Sequence, residues 1–203
     1  MVSVSRFCAA ITGAASLCLV AACSGTTAGS ATPVPDTAAP TSAAGLPVPT
    51  IPHPLPASLI QGDPCAVLTS AQVDSLFSGT PTRDPAAKDT GVAEFCGWSD
   101  VVRGSRVSIQ LVYAWKNGLA TVYAKQGQGF FKVLAPVQGY PVVAYGPSDE
   151  RADGRCSVAV GIANDAAFEA DVQVAKTAVG RGDPCDDARK VADLAVTTLK
   201  GEV

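Results

Sequence analysis

The residues able to do covalent chemistry in this chain are few: seven cysteines and a single histidine, His53. Val20, Ala21 and Ala22 stand directly before Cys23, the small and aliphatic residues that a lipoprotein signal peptidase accepts ahead of a cysteine that will carry lipid. Upstream, Arg6 precedes an uncharged apolar run from Phe7 to Ala22, too short to cross a bilayer comfortably and suited to a cleaved export signal. Residues 1–22 are therefore expected to be a signal peptide and Cys23 the lipidated first residue of the mature protein. That places everything after it at the outer face of a membrane, outside the cytoplasm. The competing reading is an ordinary signal peptide cut nearby, with Cys23 a leftover thiol.

Cys8 and Cys18 would leave with the signal, so the mature domain keeps Cys65, Cys96, Cys156 and Cys185. An even number of cysteines in an exported chain implies two disulfides. Three connectivities are open. Cys65 with Cys96 and Cys156 with Cys185 is preferred, because each bridge would tie a helix start to a nearby strand. Loops of that length make a bridge typically worth about 2–4 kcal/mol. A four-cysteine zinc site competes, but the close C-x-x-C pairs that make one plausible are missing.

His53 lies among prolines, which removes a Ser-His-Asp or Cys-His arrangement from the domain. No H-E-x-x-H, G-x-S-x-G, phosphate loop or dinucleotide fingerprint is present. A histidine-free hydrolase would need two carboxylates, and Glu94, Glu150 and Glu169 are the glutamates to watch. Against it, strand alternation puts Glu169 on a solvent face and Glu150 in a charged turn. That turn, Ser148 to Arg155, lacks the D-x-D-x-D-G spacing of a calcium loop. The chain is expected to be no enzyme, with no cofactor and no metal. A formal net charge of -3 with scattered Lys and Arg gives no footprint for nucleic acid.

The aromatics concentrate in the middle of the domain, and Trp98, Trp115, Phe130 and Phe131 are the candidates for contact with an apolar ligand. Phe130 and Phe131 are adjacent and cannot both face one interior from a strand, so one is expected at the surface.

Positioning these residues requires a scaffold. From Ser24 to about Leu59 the chain is Ala, Thr, Ser, Gly and Pro with one charge, Asp36. Residues 23–61 therefore read as a lipidated tether, stiffened near its end by Pro47, Pro49, Pro52, Pro54 and Pro56 into polyproline II. Residues 62–203 read as one domain. Gly62-Asp63-Pro64-Cys65 and Gly182-Asp183-Pro184-Cys185 are near-duplicates, each with an aspartate to cap and a proline fit for the first helical position. Thr69 and Gln72 form a capping box for a helix ending near Phe77. Ala188, Val191, Ala192, Ala195 and Leu199 mark one face of the last helix.

Between the helices the period is two. Val107, Ile109, Leu111, Tyr113 and Trp115 alternate with polar residues; Cys156 to Ile162 and Phe168 to Val174 make two more strands joined by a turn at Asn164 and Asp165. Weaker strands are expected over 92–98 and 141–145, and a helix capped by Asn117 over 118–126. The sum is an α+β domain, an antiparallel sheet with helices packed on one face and two disulfides.

The run Asp63 to Thr69, the Cys96-Gly97-Trp98 triplet, the strand opening at Cys156 and the closing Gly182-Asp183-Pro184-Cys185 helix resemble, in that order, a family of actinobacterial lipoproteins known only as a domain of unknown function, common in mycobacteria. The resemblance covers most of the chain from about Gly62 and implies an envelope location and a cysteine-stapled domain. It brings no activity and no site residues. The expectation is a cell-envelope lipoprotein that binds an envelope lipid, a glycan or a protein partner without catalysis. The alternative is an accessory surface module with no small-molecule ligand.

Overall fold

The computed structural model describes residues 45–201. Cys23 and the export signal lie outside the described residues.

Eight strands form one antiparallel sheet. They are β1 (Thr82–Arg83), β2 (Lys88–Asp89), β3 (Glu94–Asp100), β4 (Ser105–Leu111), β5 (Phe130–Val137), β6 (Tyr140–Gly146), β7 (Arg155–Ala163) and β8 (Ala166–Gln173). The order across the sheet is β1-β3-β4-β8-β7-β6-β5, with β2 also pairing β3. The meander β5 to β8 thus closes against the β3–β4 hairpin. Period-two alternation puts Val107, Ile109, Leu111, Val158, Val160, Ile162, Phe168 and Ala170 on one face, all buried in the main core. Helix α3 (Pro184–Gly201) packs on that inner face over β7 and β8. Its Ala188, Val191, Ala192, Ala195, Val196 and Leu199 are all buried. Burying one Val or Leu side chain contributes about 1.5–3 kcal/mol, which makes this face the source of most of the stability.

Helix α1 (Ser70–Leu76) lies beside α3 and is held to it by polar contacts. Gln72 Nε2 donates to the Leu194 carbonyl at 3.0 Å and Thr198 Oγ1 donates to Gln72 Oε1 at 3.0 Å. The capping box forms as expected, with Thr69 and Gln72 accepting from each other's backbone amides. The duplicated Asp-Pro-Cys motif also repeats its geometry. Asp63 Oδ1 accepts from the Cys65 amide at 2.8 Å and Asp183 Oδ1 from the Cys185 amide at 3.0 Å. The second copy opens α3; the first makes only a turn. Cys65 bridges to Cys96 and Cys156 to Cys185, so each bridge pins the start of a helical unit to a strand. The zinc reading falls with them.

The structure corrects the expected tether and the expected helix over 118–126, and adds a strand. The tether does not end at residue 61: Ile51, Leu55 and Ile60 are buried in the core. The Leu55 amide donates to the Ile162 carbonyl at 2.8 Å, Tyr140 Oη donates to the His53 carbonyl at 3.0 Å, and Gln126 makes two hydrogen bonds to the Leu46 backbone. Dense prolines masked the sparse apolar residues between them. Strand β5 is the addition, and Pro136 with poor alternation gives it little sequence signal. It is tolerated at a sheet edge, with a bulge between Leu134 and Val137. The helix over 118–126 shrinks to α2 (Ala120–Tyr123), flanked by turns. Gly118 sits at φ 50, and a Cβ there would meet the Ala166 amide nitrogen at 2.9 Å, so the helix cannot begin at Asn117.

The connection carrying α2 crosses the opposite, outer face of the sheet. Val112, Trp115, Leu119, Val122 and Tyr123 cover Val143, Ala159 and Ala167 there, forming a second, smaller core.

Candidate functional site

The part of the outer face that α2 leaves uncovered carries polar residues in ordered rows. Strand register places Ser108, Asp171, Ser157, Tyr145 and Phe131 side by side across β4, β8, β7, β6 and β5. The next row toward α2 is Gln110, Glu169 and Ala159. The row at the sheet's end is Arg106, Gln173 and Arg155.

Asp171 is the centre of a hydrogen-bond network. Its carboxylate accepts from Ser108 Oγ at 3.2 Å, from Gln110 Nε2 at 2.8 Å and from Ser157 Oγ. Gln110 Nε2 also reaches Glu169 Oε1 at 3.3 Å, and Tyr145 Oη donates to Glu169 Oε2. Burial, and then the charge of Asp171, raise the Glu169 carboxyl well above its ordinary range. Desolvation disfavours the charged form of Glu169, and the charge of Lys125 only partly opposes this. Burial first and Glu169 second likewise push the Tyr145 hydroxyl up. The expectation of a solvated Glu169 is corrected: it points to the outer face but is half-buried, with the Tyr145 hydroxyl on its carboxyl.

Around this row lie cavities that join. One of about 220 Å³ is lined by Lys125, Gln128, Phe130, Phe131 and Tyr145. One of about 280 Å³ is lined by Arg106, Ser108, Glu150, Arg155, Ser157 and Asp171. A small one of about 50 Å³ shares Phe130 and Tyr145 with the first and Glu150, Arg155 and Ser157 with the second. Together they make a groove with an aromatic end and a polar end. The aromatic end is braced: Trp115 meets Tyr145 edge-on at 5.8 Å, Tyr123 meets Phe131 edge-on at 5.1 Å, and the Arg151 guanidinium sits 4.8 Å from the Phe130 ring.

Of the four aromatic candidates, Phe130 and Phe131 line the groove, and Trp115 supports it from the second core while only 8% exposed. Trp98 is on the inner face, opposite Val107 of β4. Trp98 and Trp115 therefore cannot contact one ligand together, because the sheet lies between them. Of the glutamates, Glu94 lines a separate depression beside Cys65 and Arg83, Glu150 reaches the polar end, and Glu169 lines none of these cavities. Tyr145 belongs to the central aromatic group of the sequence, whereas Asp171, Ser157, Ser108 and Gln110 carry no motif that marks them as a site. The signal was the alternation itself, which marks Ser108 and Gln110 on β4 and Glu169 and Asp171 on β8 as sharing one face.

The charged turn is also less free than expected. Arg151 pairs with Asp149 at 2.7 Å and with Asp183, the cap of α3, at 3.3 Å; Lys132 meets Asp183 at 3.0 Å. The hydrogen bonds from Arg151 hold the Asp149 carboxyl down to about 2. Among the described residues no cluster of three or more His, Cys, Asp or Glu is placed to hold a metal ion.

A model of the family described as protein of unknown function (DUF3558) matches residues 18–198. The chain belongs to this family. The match begins ahead of Cys23, takes in both bridges and ends within α3. No curated protein and no solved structure matches the chain. The family carries no assigned activity, so the groove's role rests on its geometry.

Proposed function

We propose that the protein is an extracytoplasmic lipoprotein, anchored through lipid on Cys23, whose outer-face groove binds a hydroxyl-rich envelope glycan without turning it over. The observation that carries this is the union, in one groove, of an aromatic wall with a row of hydrogen-bonding groups. A sugar ring has an apolar C–H face, suited to Phe131 and Tyr145. Its hydroxyls suit the Asp171 carboxylate, the two serines and the arginines, Arg106 and Arg155, at the rim. The groove is preformed, since register fixes the row and edge-on aromatic contacts fix the wall, so little ordering entropy opposes binding.

Titration calorimetry of the full chain in detergent with soluble fragments of envelope polysaccharide tests this reading. Binding that weakens at least about tenfold in Phe131→Ala and in Asp171→Asn, about 1.4 kcal/mol each, supports it. No heat from any fragment would leave the accessory surface module as the better reading. Glu150 and Asp171 share one cavity, and this favours one rival, a two-carboxylate hydrolase. Fragments shortened on incubation with the wild type, and left intact by Glu150→Gln, would establish that rival instead.

A further inference from the structure

At the β3–β4 turn two consecutive valines point into solvent: Val101 is 82% exposed and Val102 87%. The turn that carries them is rigid. Asp100, only 3% exposed, accepts from the Val102 and Arg103 amides at 3.0 and 3.1 Å and from Arg103 Nη1 at 3.0 Å. Gly104, at φ 70, closes the turn by donating from its amide to the Asp100 carbonyl at 2.8 Å. Two apolar side chains held out by a preordered turn cost stability in water and gain it only when something apolar covers them.

Behind the turn, on the inner face, a crevice of about 360 Å³ runs between the sheet and the helices. Its apolar wall comprises Leu76, Phe77, Val107, Val172, Val174 and Val191, and Asp187 and Lys190 stand on its rim. Ser105 and Ala175, which also line it, are the chain neighbours of Gly104 and Lys176. The Lys176 amide donates to the Arg103 carbonyl at 3.1 Å, and its side chain lies against Gly104. The valine turn and the crevice mouth are therefore adjacent, with a lysine between them.

At this end the two lysines, Lys176 and Lys190, outnumber the one rim acid, Asp187, which interacts with Lys190 and leaves Lys176 beside the turn unmatched. The one acid of the turn, Asp100, is buried and neutralised by Arg103. Lys176 and Lys190 have no salt-bridge partner among the described residues. A protein interface of standard size needs about 800 Å² on each partner, far more than two valine side chains offer. A projecting apolar tip beside Lys176, with a slot behind it whose floor is apolar and whose rim carries serines, Asp187 and Lys190, fits a bilayer.

We propose that this end of the domain docks on a lipid bilayer with anionic headgroups, Val101 and Val102 entering the acyl region and the crevice taking one acyl chain of a bilayer lipid. The site lies on the opposite face from the glycan groove and does not depend on that reading.

The test uses the full lipidated chain reconstituted in vesicles of phosphatidylglycerol and phosphatidylcholine, with and without bromine on the acyl chains. Val102→Trp puts a reporter on the exposed turn, where the fold tolerates it. The expected result is a blue-shifted emission for this tryptophan and its loss in brominated vesicles. In a Trp115→Phe background the native Trp98, paired with Val107 on the crevice floor, is expected to be quenched as well. A residue 102 tryptophan that emits as in water and is unquenched overturns the docking. Quenching there without quenching of Trp98 overturns the acyl-chain occupant. Equal quenching in purely zwitterionic vesicles overturns the role given to the lysines. None of these readouts depends on glycan binding, so failure here and failure of the groove reading are distinct.

Discussion

Tyr145 Oη donates to Glu169 Oε2 across an intervening strand. The two residues sit on β6 and β8, and β7 between them presents Ala159, the register partner of Glu169, on the same face. A methyl group is small enough for the two side chains to meet above it. The tyrosine thereby both holds the half-buried Glu169 carboxyl and forms part of the groove's wall.

The raised Glu169 carboxyl makes stability depend on pH with a definite sign. The unfolded chain releases this proton near pH 4.3, while the folded chain, where burial raises the group, still holds it. Above that value the folded state binds more protons than the unfolded one, so stability falls as pH rises until the folded-state carboxyl also ionises. The slope is at most ~1.4 kcal/mol per pH unit. Glu169→Gln keeps an acceptor for Tyr145 and carries no titrating proton. Urea denaturation between pH 5 and 8 is expected to show a shallower slope for the variant and a gain in stability at the alkaline end. An identical slope in both proteins would mean that Glu169 is ionised throughout.

The segment from Leu46 to Ile60 belongs to the fold, so where the chain is cut matters. Ile51 packs where Gly161 leaves space, at 3.2 Å from the position a Cβ there would occupy. Ile51→Ala is expected to cost about 2 kcal/mol, the low end for such a deletion because the site is near the surface. Gly161→Ala is expected to destabilise by pressing the same contact from the other side. A chain beginning at Gly62 should unfold at lower denaturant than one beginning at Gly45, by more than the Ile51 variant alone. Equal midpoints would return residues 45–61 to the role of a linker.

How far sequence reaches into this molecule follows from what each signal measures. Alternation over Val107 to Leu111 and Cys156 to Val174 names the strands because one face is buried and the other is not, and the Asp-Pro-Cys copies name their own turns because an aspartate two residues before an amide caps it. Both are local. The groove is not: Ser108, Asp171, Ser157, Tyr145 and Phe131 come from five strands and meet only through register, which no single strand encodes. The misplaced pair, Trp98 and Trp115, shows the same limit. Each is aromatic and central in the chain, but one lies on a strand's inward position and the other in the crossover behind the sheet. Pro136 hid β5 because a proline excludes a central strand and says nothing against an edge.

The two bridges close loops of similar length, with sequence separations of 31 and 29, so chain entropy alone would make them equivalent, at about 2–4 kcal/mol each. Their attachments differ. Cys156–Cys185 fixes the first turn of α3, the helix that fills the main core, whereas Cys65–Cys96 fixes a turn ahead of the shorter α1. Replacing Cys156 and Cys185 together by alanine is expected to raise hydrogen exchange along all of α3. Replacing Cys65 and Cys96 is expected to raise it only around α1 and the start of β3. Uniform loss of protection in both variants would show that the domain opens as one unit and that attachment does not matter.

Cys23→Ala separates the proposed lipid anchor from any other membrane contact. No described helix is long and apolar enough to cross a membrane; under the two proposals above, the lipid on Cys23 is the strong attachment and the valine turn a weak one. Each buried methylene of an acyl chain adds ~0.8 kcal/mol, and the anchor therefore outweighs two valines. In cells, the variant is expected to move from the membrane fraction to the soluble extracytoplasmic fraction, while its disulfides and fold persist. In vesicles the same variant is expected to retain a small, salt-sensitive affinity for anionic lipid, because exposed cations are screened over about 8 Å at physiological ionic strength, and Val101→Asp should abolish it. A variant that stays firmly in the membrane fraction after salt washing would place the anchor somewhere other than Cys23.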